Sequence, residues 1–332
     1  MGFDVNEISQ KSNGGTELML RGLQMRMDPA LIEDFQIIPS RVRELDEKKI
    51  RILWLHDLPG DPESEHLKNG GHERFHLLVF VSNWQMQQYI QYYGIPWRKC
   101  IVIENVIEPI HRDTIRKPTN KIKLIYHTTP HRGLEILVPV FEKLCEKHPN
   151  IELDVFSSFK IYGWEQRDEP YQKLFERCKN HPQINYHGTV SNIEVRKAVA
   201  NAHIFAYPSI WLETSCLSLM EAMSAECVCV HPNYGALYET AGGTTVMYQW
   251  SEDLNHHAGI MYTHLDNVIQ ALTGKNETLN NVTKIQKSYA DLRYSWNRVT
   301  SVWNDVLKGL RETYPDEQSR GLPQQMFHYR VS

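Results

Sequence analysis

The chain of 332 residues has no run of about 18 apolar residues and no charged-then-apolar leader, so neither a membrane span nor a signal peptide is expected. Its six cysteines form no C-x-x-C pair and no His-rich zinc spacing. Cys227 and Cys229 alternate in a segment that reads as a buried strand, where cysteine behaves as a small hydrophobe. Reduced thiols in a cytoplasmic compartment are the expectation, and there the triplet Asn281-Val-Thr283 carries no glycosylation meaning. Excess positive charge is lacking too. A formal net charge of −4 supplies no bulk polyanion surface, so nucleic acid is not an expected partner. No internal repeat or low-complexity tract is present.

What the chain does have is length for two domains and a steady alternation of short apolar runs with helical patterns. The spacing predicts strands at Phe35–Pro39, Ile50–Leu55, Leu77–Val81 and Ile101–Ile103, with helices at Thr16–Met27 and Trp84–Tyr93. A polar stretch from Pro109 to Asn120 has no apolar period and reads as a linker. A second series follows, with strands at Lys123–Tyr126, Glu152–Ser157, Ile184–Gly188, His203–Tyr207, Val228–His231 and Thr245–Tyr248. Helices fall between them, among them Leu134–Glu146 and Tyr171–Lys179. The predicted class is α/β, with two facing Rossmann-like domains of parallel sheet, at 1–118 and 119–290. From Leu292 an apolar stripe through Trp296, Val299, Trp303, Val306, Leu307 and Leu310 predicts one long C-terminal helix within 291–332. That helix either caps the second domain or crosses back to the first. Its polar face mixes acidic and basic groups, which favours packing over lying on an anionic membrane.

The densest chemistry lies in Trp211-Leu-Glu-Thr-Ser-Cys-Leu-Ser-Leu-Met-Glu221. Glu213 and Glu221 stand eight positions apart across a loop-to-helix junction. Thr214 and Ser215 are candidate N-caps, with Leu217 and Met220 at helical spacing behind them. This places Glu213 in front of the helix and Glu221 about two turns inside it. Between them lie the free N–H groups of a first turn, which suit phosphate. Two acceptor carboxylates around such a helix end fit a nucleotide sugar. The competing reading is an ordinary amphipathic helix with a solvated glutamate.

This run, the preceding Tyr207-Pro-Ser and the following Glu221-Ala-Met resemble family 4 retaining glycosyltransferases of the GT-B fold. His127-Thr-Thr-Pro-His-Arg-Gly-Leu134 is similar to the Ser/Thr-Pro-x-Arg-Gly-Leu form of the motif opening their donor domain. Asn13-Gly-Gly-Thr-Glu17 resembles the Gly-Gly-x-Glu loop of their acceptor domain. Each element is weak alone; their order over residues 13 to 310 makes a strong composite. A strand that relatives place ahead of Asn13 is short or absent here, so a trimmed first domain is expected.

The resemblance implies a hexosyltransferase with a nucleotide diphosphate sugar as donor and a saccharide, lipid-linked or protein acceptor. It implies catalytic roles for Arg132, Glu213 and His56. Arg132 would hold the departing diphosphate through its guanidinium fork, and Gly133 would allow close backbone approach. Glu213 would take donor sugar hydroxyls and Glu221 the ribose, while His56, at a strand end, would face the donor sugar or the acceptor. Gly14 and Gly15 would approach the diphosphate at a helix start that Asn13 and its neighbours cap. Thr214, Ser215, Cys216 and Leu217 would turn N–H groups towards phosphate or sugar. Cys216 stands where relatives commonly carry glycine and would narrow the pocket. Lys160 is the candidate for a second cation, with Tyr126 and His127 upstream as alternatives. No cofactor and no metal are expected, because no Asp-x-Asp motif is present and Arg132 with helix N–H groups can supply the electrostatics. Partners reduce to the donor and a glycan-type acceptor, with peripheral membrane contact left open. The alternatives are a nucleotide-sugar epimerase or phosphorylase on the same fold, and a non-catalytic sugar-nucleotide-binding module.

Overall fold

Every strand pairing among the described residues is parallel, as expected of near-continuous apolar strands joined by helical crossovers. The computed structural model describes residues 2–4 and 14–322. They divide into two compact units, one of residues 2–4, 14–105 and 296–322, the other of residues 106–295.

The first unit holds a four-stranded sheet of β1 (Phe35–Pro39), β2 (Ile50–Leu55), β3 (Leu77–Phe80) and β4 (Cys100–Val102), in the order β1-β2-β3-β4. Ahead of it, Phe3 makes a single parallel bridge to Ile37 on β1. The helix Asn83–Tyr93 starts at Ser82, whose side chain accepts from Gln85 N–H, and stops at Gly94 in the left-handed conformation. The helix Gly15–Gln24 starts at Gly14, which makes no side-chain cap. The expected capping residue Asn13 lies outside the described residues.

The second unit holds six strands: β5 (Ile122–Tyr126), β6 (Ile151–Val155), β7 (Ile184–Tyr186), β8 (Ile204–Ala206), β9 (Val228–Pro232) and β10 (Val246–Tyr248). Their order is β10-β9-β8-β5-β6-β7. From β5 the chain winds outward to β7, then returns to the other side of β5 as β8. The sheet therefore has a topological switch point between β5 and β8, where open α/β sheets bind ligands.

The expected long C-terminal helix is present, but it starts at Trp296 and not at Leu292. One helix, Glu277–Arg293, ends before Tyr294, and another, Trp296–Thr313, begins after Ser295. Tyr294 is buried and donates its hydroxyl to Thr240 O at 2.8 Å, which ties the break to the second unit, while Leu292 is 74% exposed. The later helix belongs to the first unit: Trp303 meets Trp54 of β2 edge-on at 5.3 Å, and Arg311 donates to Leu31 O at 2.6 Å.

The stretch 109–120 is a strap pinned by hydrogen bonds, and the chain divides into its two units at 105/106. Ile110 N–H donates to Ser224 Oγ at 2.8 Å, and Arg116 N–H to Ala200 O at 3.3 Å. Lys287, itself buried, donates to Ile110 O and pairs with Asp291 at 2.8 Å. The stretch lacks an apolar period because it is held by hydrogen bonds from elements more than 80 residues away in sequence.

Candidate active site

The switch point brings together the loops that follow β5 and β8. Tyr126 closes β5, and its ring lies 6.1 Å from that of Tyr207, which follows β8. The β5 loop turns at Pro130–Arg132 and leaves through Gly133 at φ +119°. A Cβ there would sit 2.1 Å from Pro208 O, so only glycine lets the two loops touch. That contact sets Arg132 against Glu213. Arg132 Nη1 donates to Glu213 Oε1 at 2.6 Å, and the buried Tyr207 hydroxyl donates to the same oxygen. A third loop supports the glutamate from behind: Ala236 N–H donates to Glu213 O at 2.7 Å, and a Cβ on Gly235 would meet Glu213 N at 2.6 Å.

Glu213 is only 4% exposed. Burial opposes the Arg132 charge, but the Glu213 carboxylate outweighs it and holds the guanidinium above its ordinary range. One nitrogen of Arg132 is engaged by Glu213, whereas its buried Nε has no partner. Thr129 Oγ1 and His131 Nδ1 on the same loop, Ser157 Oγ after β6 and Ser215 Oγ after β8 are likewise buried and unpartnered. Buried polar atoms in native proteins are almost always paired, so unpaired ones on the loops after β5, β6 and β8 are fit to meet a polar ligand. His127 is buried with both ring nitrogens unpartnered, and burial lowers its pKa to about 4.

The helix after Glu213 departs from expectation. It runs Leu217–Ser224 and its N-cap is Cys216, with no side-chain cap, so neither Thr214 nor Ser215 fills that role. Both lie in the loop ahead of it, and Leu217 is the first helical residue. Burial pushes the Cys216 thiol well above the ordinary range, which leaves it a neutral packing group. Glu221 consequently lies one turn inside the helix instead of two. Its carboxylate pairs with Arg196 at 2.8 Å, and Arg196 also donates to Glu108 O at 2.7 Å. Burial pushes the Glu221 carboxyl up, and Arg196 offsets part of that shift.

Lys160 occupies an exposed turn after β6 and pairs with Glu165 at 2.9 Å, with both side chains more than 60% exposed. In the first unit, His56 ends β2 as expected, where its N–H donates to Ser40 Oγ at 3.1 Å. Burial takes its pKa down to about 3, so the ring is neutral. Gly14 and Gly15 form the start of the first helix of that unit.

Sequence reading missed Tyr207 and Arg196 as partners of the two glutamates, and Gly235 as the support behind Glu213. A tyrosine before a proline and an arginine on an exposed helix carry no local sign of such roles. A surface cavity of about 330 Å³ elsewhere on this unit is lined by Lys123, Asp154 and His187. Those groups already satisfy one another, with Lys123 at 2.7 Å and His187 at 3.2 Å from Asp154.

The family profile described as "Glycosyl transferases group 1" matches residues 107–243, which span Arg132, Glu213 and Glu221. That match lies within the second unit. No curated protein matches the chain by sequence. Among solved structures, a glycosyltransferase from Rickettsia africae is similar at 14% identity and a TM-score of 0.65, covering 92% of this chain and 84% of its own. HepE from Anabaena, solved with UDP and glucose, matches at 15% identity and a TM-score of 0.62, over 88% of this chain and 81% of its own. The pneumococcal O-GlcNAc transferase GtfA, solved with UDP and GlcNAc, matches at 10% identity and a TM-score of 0.63, over 89% of this chain and 60% of its own. At such identities the likeness speaks for the fold, and that fold is GT-B. Among the described residues, no helix is long and apolar enough to cross a membrane.

Proposed function

We propose that the chain transfers a hexose from a nucleotide diphosphate sugar to a saccharide, lipid-linked or protein acceptor with retention of anomeric configuration. The observation that carries this reading is the buried Arg132–Glu213 pair at the switch point within the group 1 match, with unpartnered buried polar atoms on the loops after β5, β6 and β8. Arg132 has N–H groups left for the diphosphate after pairing with Glu213, and the start of the helix Leu217–Ser224 adds backbone donors. As the bond from the anomeric carbon to the diphosphate breaks, charge grows on the phosphate oxygen, and these fixed donors stabilise it. The acceptor hydroxyl then bonds to the same face of the anomeric carbon and gives its proton to the departing phosphate. Glu213 accepts hydroxyls of the transferred sugar, and Glu221 accepts those of the ribose. In the first unit, His56, neutral and hydrogen-bond competent, faces the acceptor or the donor sugar. Gly14 and Gly15 offer unobstructed backbone. The reaction runs without a divalent metal, in the cytoplasm.

The test is a thermal-shift screen of UDP-, GDP- and ADP-linked hexoses, followed by mass and anomeric analysis of products in EDTA. A donor raises the melting temperature by mass action, and transfer with retention follows. Isomerised donor would establish an epimerase, and binding without turnover a non-catalytic module; either replaces the present reading.

A further inference from the structure

We propose that Trp211 is a specificity-determining residue whose exposed indole stacks on the sugar ring of the donor. The inference rests on the donor reading above and adds to it a wall that recognises the ring itself. Trp211 lies two residues before Glu213 on the loop after β8 and is 41% exposed; Trp97 and Trp164 are exposed too, at 60% and 43%, but Trp211 alone of the three has a ring contact to Arg132. Leaving so large an apolar surface in water is costly unless something covers it. Its position is not that of a loose loop residue. The fully buried Ser209 holds both ends of its peptide, since Oγ accepts from Trp211 N–H at 3.2 Å and donates to Trp211 O at 3.0 Å.

The ring itself is braced. The His131 ring meets it edge-on at 4.8 Å and 85°, and His131 in turn stacks on Phe159 at 5.1 Å and 16°. The guanidinium carbon of Arg132 lies 5.9 Å from the indole centroid. A phosphate held by Arg132 therefore has the indole on one side. Along the chain Trp211 precedes Glu213, whereas the helix start and Glu221, one turn further in, follow it. The nucleotide runs towards Glu221 and the sugar towards Trp211. There the C–H face of a pyranose covers the indole while its hydroxyls reach Glu213. A preorganised aromatic face of this kind adds selectivity for the ring without making a hydrogen bond.

The test uses the full chain and titrates UDP, GDP and ADP against UDP-glucose, GDP-mannose and ADP-glucose, in wild type, Trp211→Ala and Trp211→Phe. For the donor that wild type binds, Trp211→Ala is expected to weaken the sugar nucleotide roughly tenfold and to leave the bare nucleoside diphosphate unchanged. Trp211→Phe keeps an aromatic face and is expected to keep most of the affinity, which also guards against a folding defect in the alanine variant. Equal loss for nucleotide and sugar nucleotide, or no loss in a folded Trp211→Ala protein, overturns the inference while the donor reading stands. Wild type that binds none of the six compounds overturns both.

Discussion

Arg132 and Glu213 show what a buried ion pair demands of its partners. Glu213 is almost fully enclosed, and it tolerates a charge there only because Arg132 and the Tyr207 hydroxyl both donate to it. Removing one partner leaves a buried charge uncompensated, whereas removing both does not. Arg132→Met or Glu213→Leu alone is therefore expected to cost roughly 3 kcal/mol of stability, and the double variant carrying both to recover most of it. Urea unfolding of the two single variants and the double one checks this, and additive losses would contradict it. Under the proposed function, all three lose transfer activity, so stability and activity separate in the double variant.

At the scale of elements, the site depends on two loops approaching more closely than side chains allow. Gly133 combines a positive φ with a would-be Cβ contact of 2.1 Å to Pro208 O. Gly94 also has a positive φ, at +67°, but a Cβ there would meet nothing within 4 Å. Gly94→Ala is thus expected to cost about 1 kcal/mol, for conformation alone. Gly133→Ala must in addition push the β8 loop away, which should bring the loss to more than about 2 kcal/mol and weaken donor binding. Chemical denaturation of both variants, with donor titration of the folded fraction, makes the comparison. Equal losses would mean that the two loops do not depend on their close approach.

Over the whole molecule, several histidines are enclosed in neutral form. Burial takes His56 to about 3, and His127 and His231 to about 4, all below the ordinary value of 6.5. In the unfolded chain these rings bind protons near pH 6.5, while in the folded chain they do not. Their stabilising contribution is therefore complete above pH 6.5 and is lost as pH falls towards 4. Each such ring should add about 1.4 kcal/mol per pH unit to the slope of stability in that window. His127→Phe, which preserves a ring against Phe205, is expected to flatten the slope by that amount in urea unfolding between pH 6.5 and 4. An unchanged slope would show that His127 titrates in the folded protein.

Much of this architecture was readable in advance because it is written in local periodicity. β1 and β2 fall where the apolar runs put them, and the helices at Asn83–Tyr93 and Leu134–Lys147 differ from expectation by a residue at one end. The segments holding Arg132, Glu213 and Glu221 were equally visible, since each couples a recognisable residue pattern to a strand end. Where sequence reading failed, the deciding contact was distant along the chain. The stripe from Leu292 looked continuous because periodicity is blind to Tyr294 bonding Thr240. The strap at 109–120 looked free because its anchors, Ser224, Ala200 and Lys287, arrive from other elements.

Local order along the chain was thus enough to determine two α/β halves and the short segments that carry the chemistry. Backbone propensity and side-chain period act over a few residues, and so are legible one segment at a time. Only the tertiary structure decided that Arg132 pairs with Glu213, that Tyr207 and Arg196 hold the two glutamates, and that Trp211 stays uncovered beside them. Those outcomes follow from which loops the β5–β8 switch point brings together and from how much water it leaves there, quantities that no stretch of sequence contains by itself.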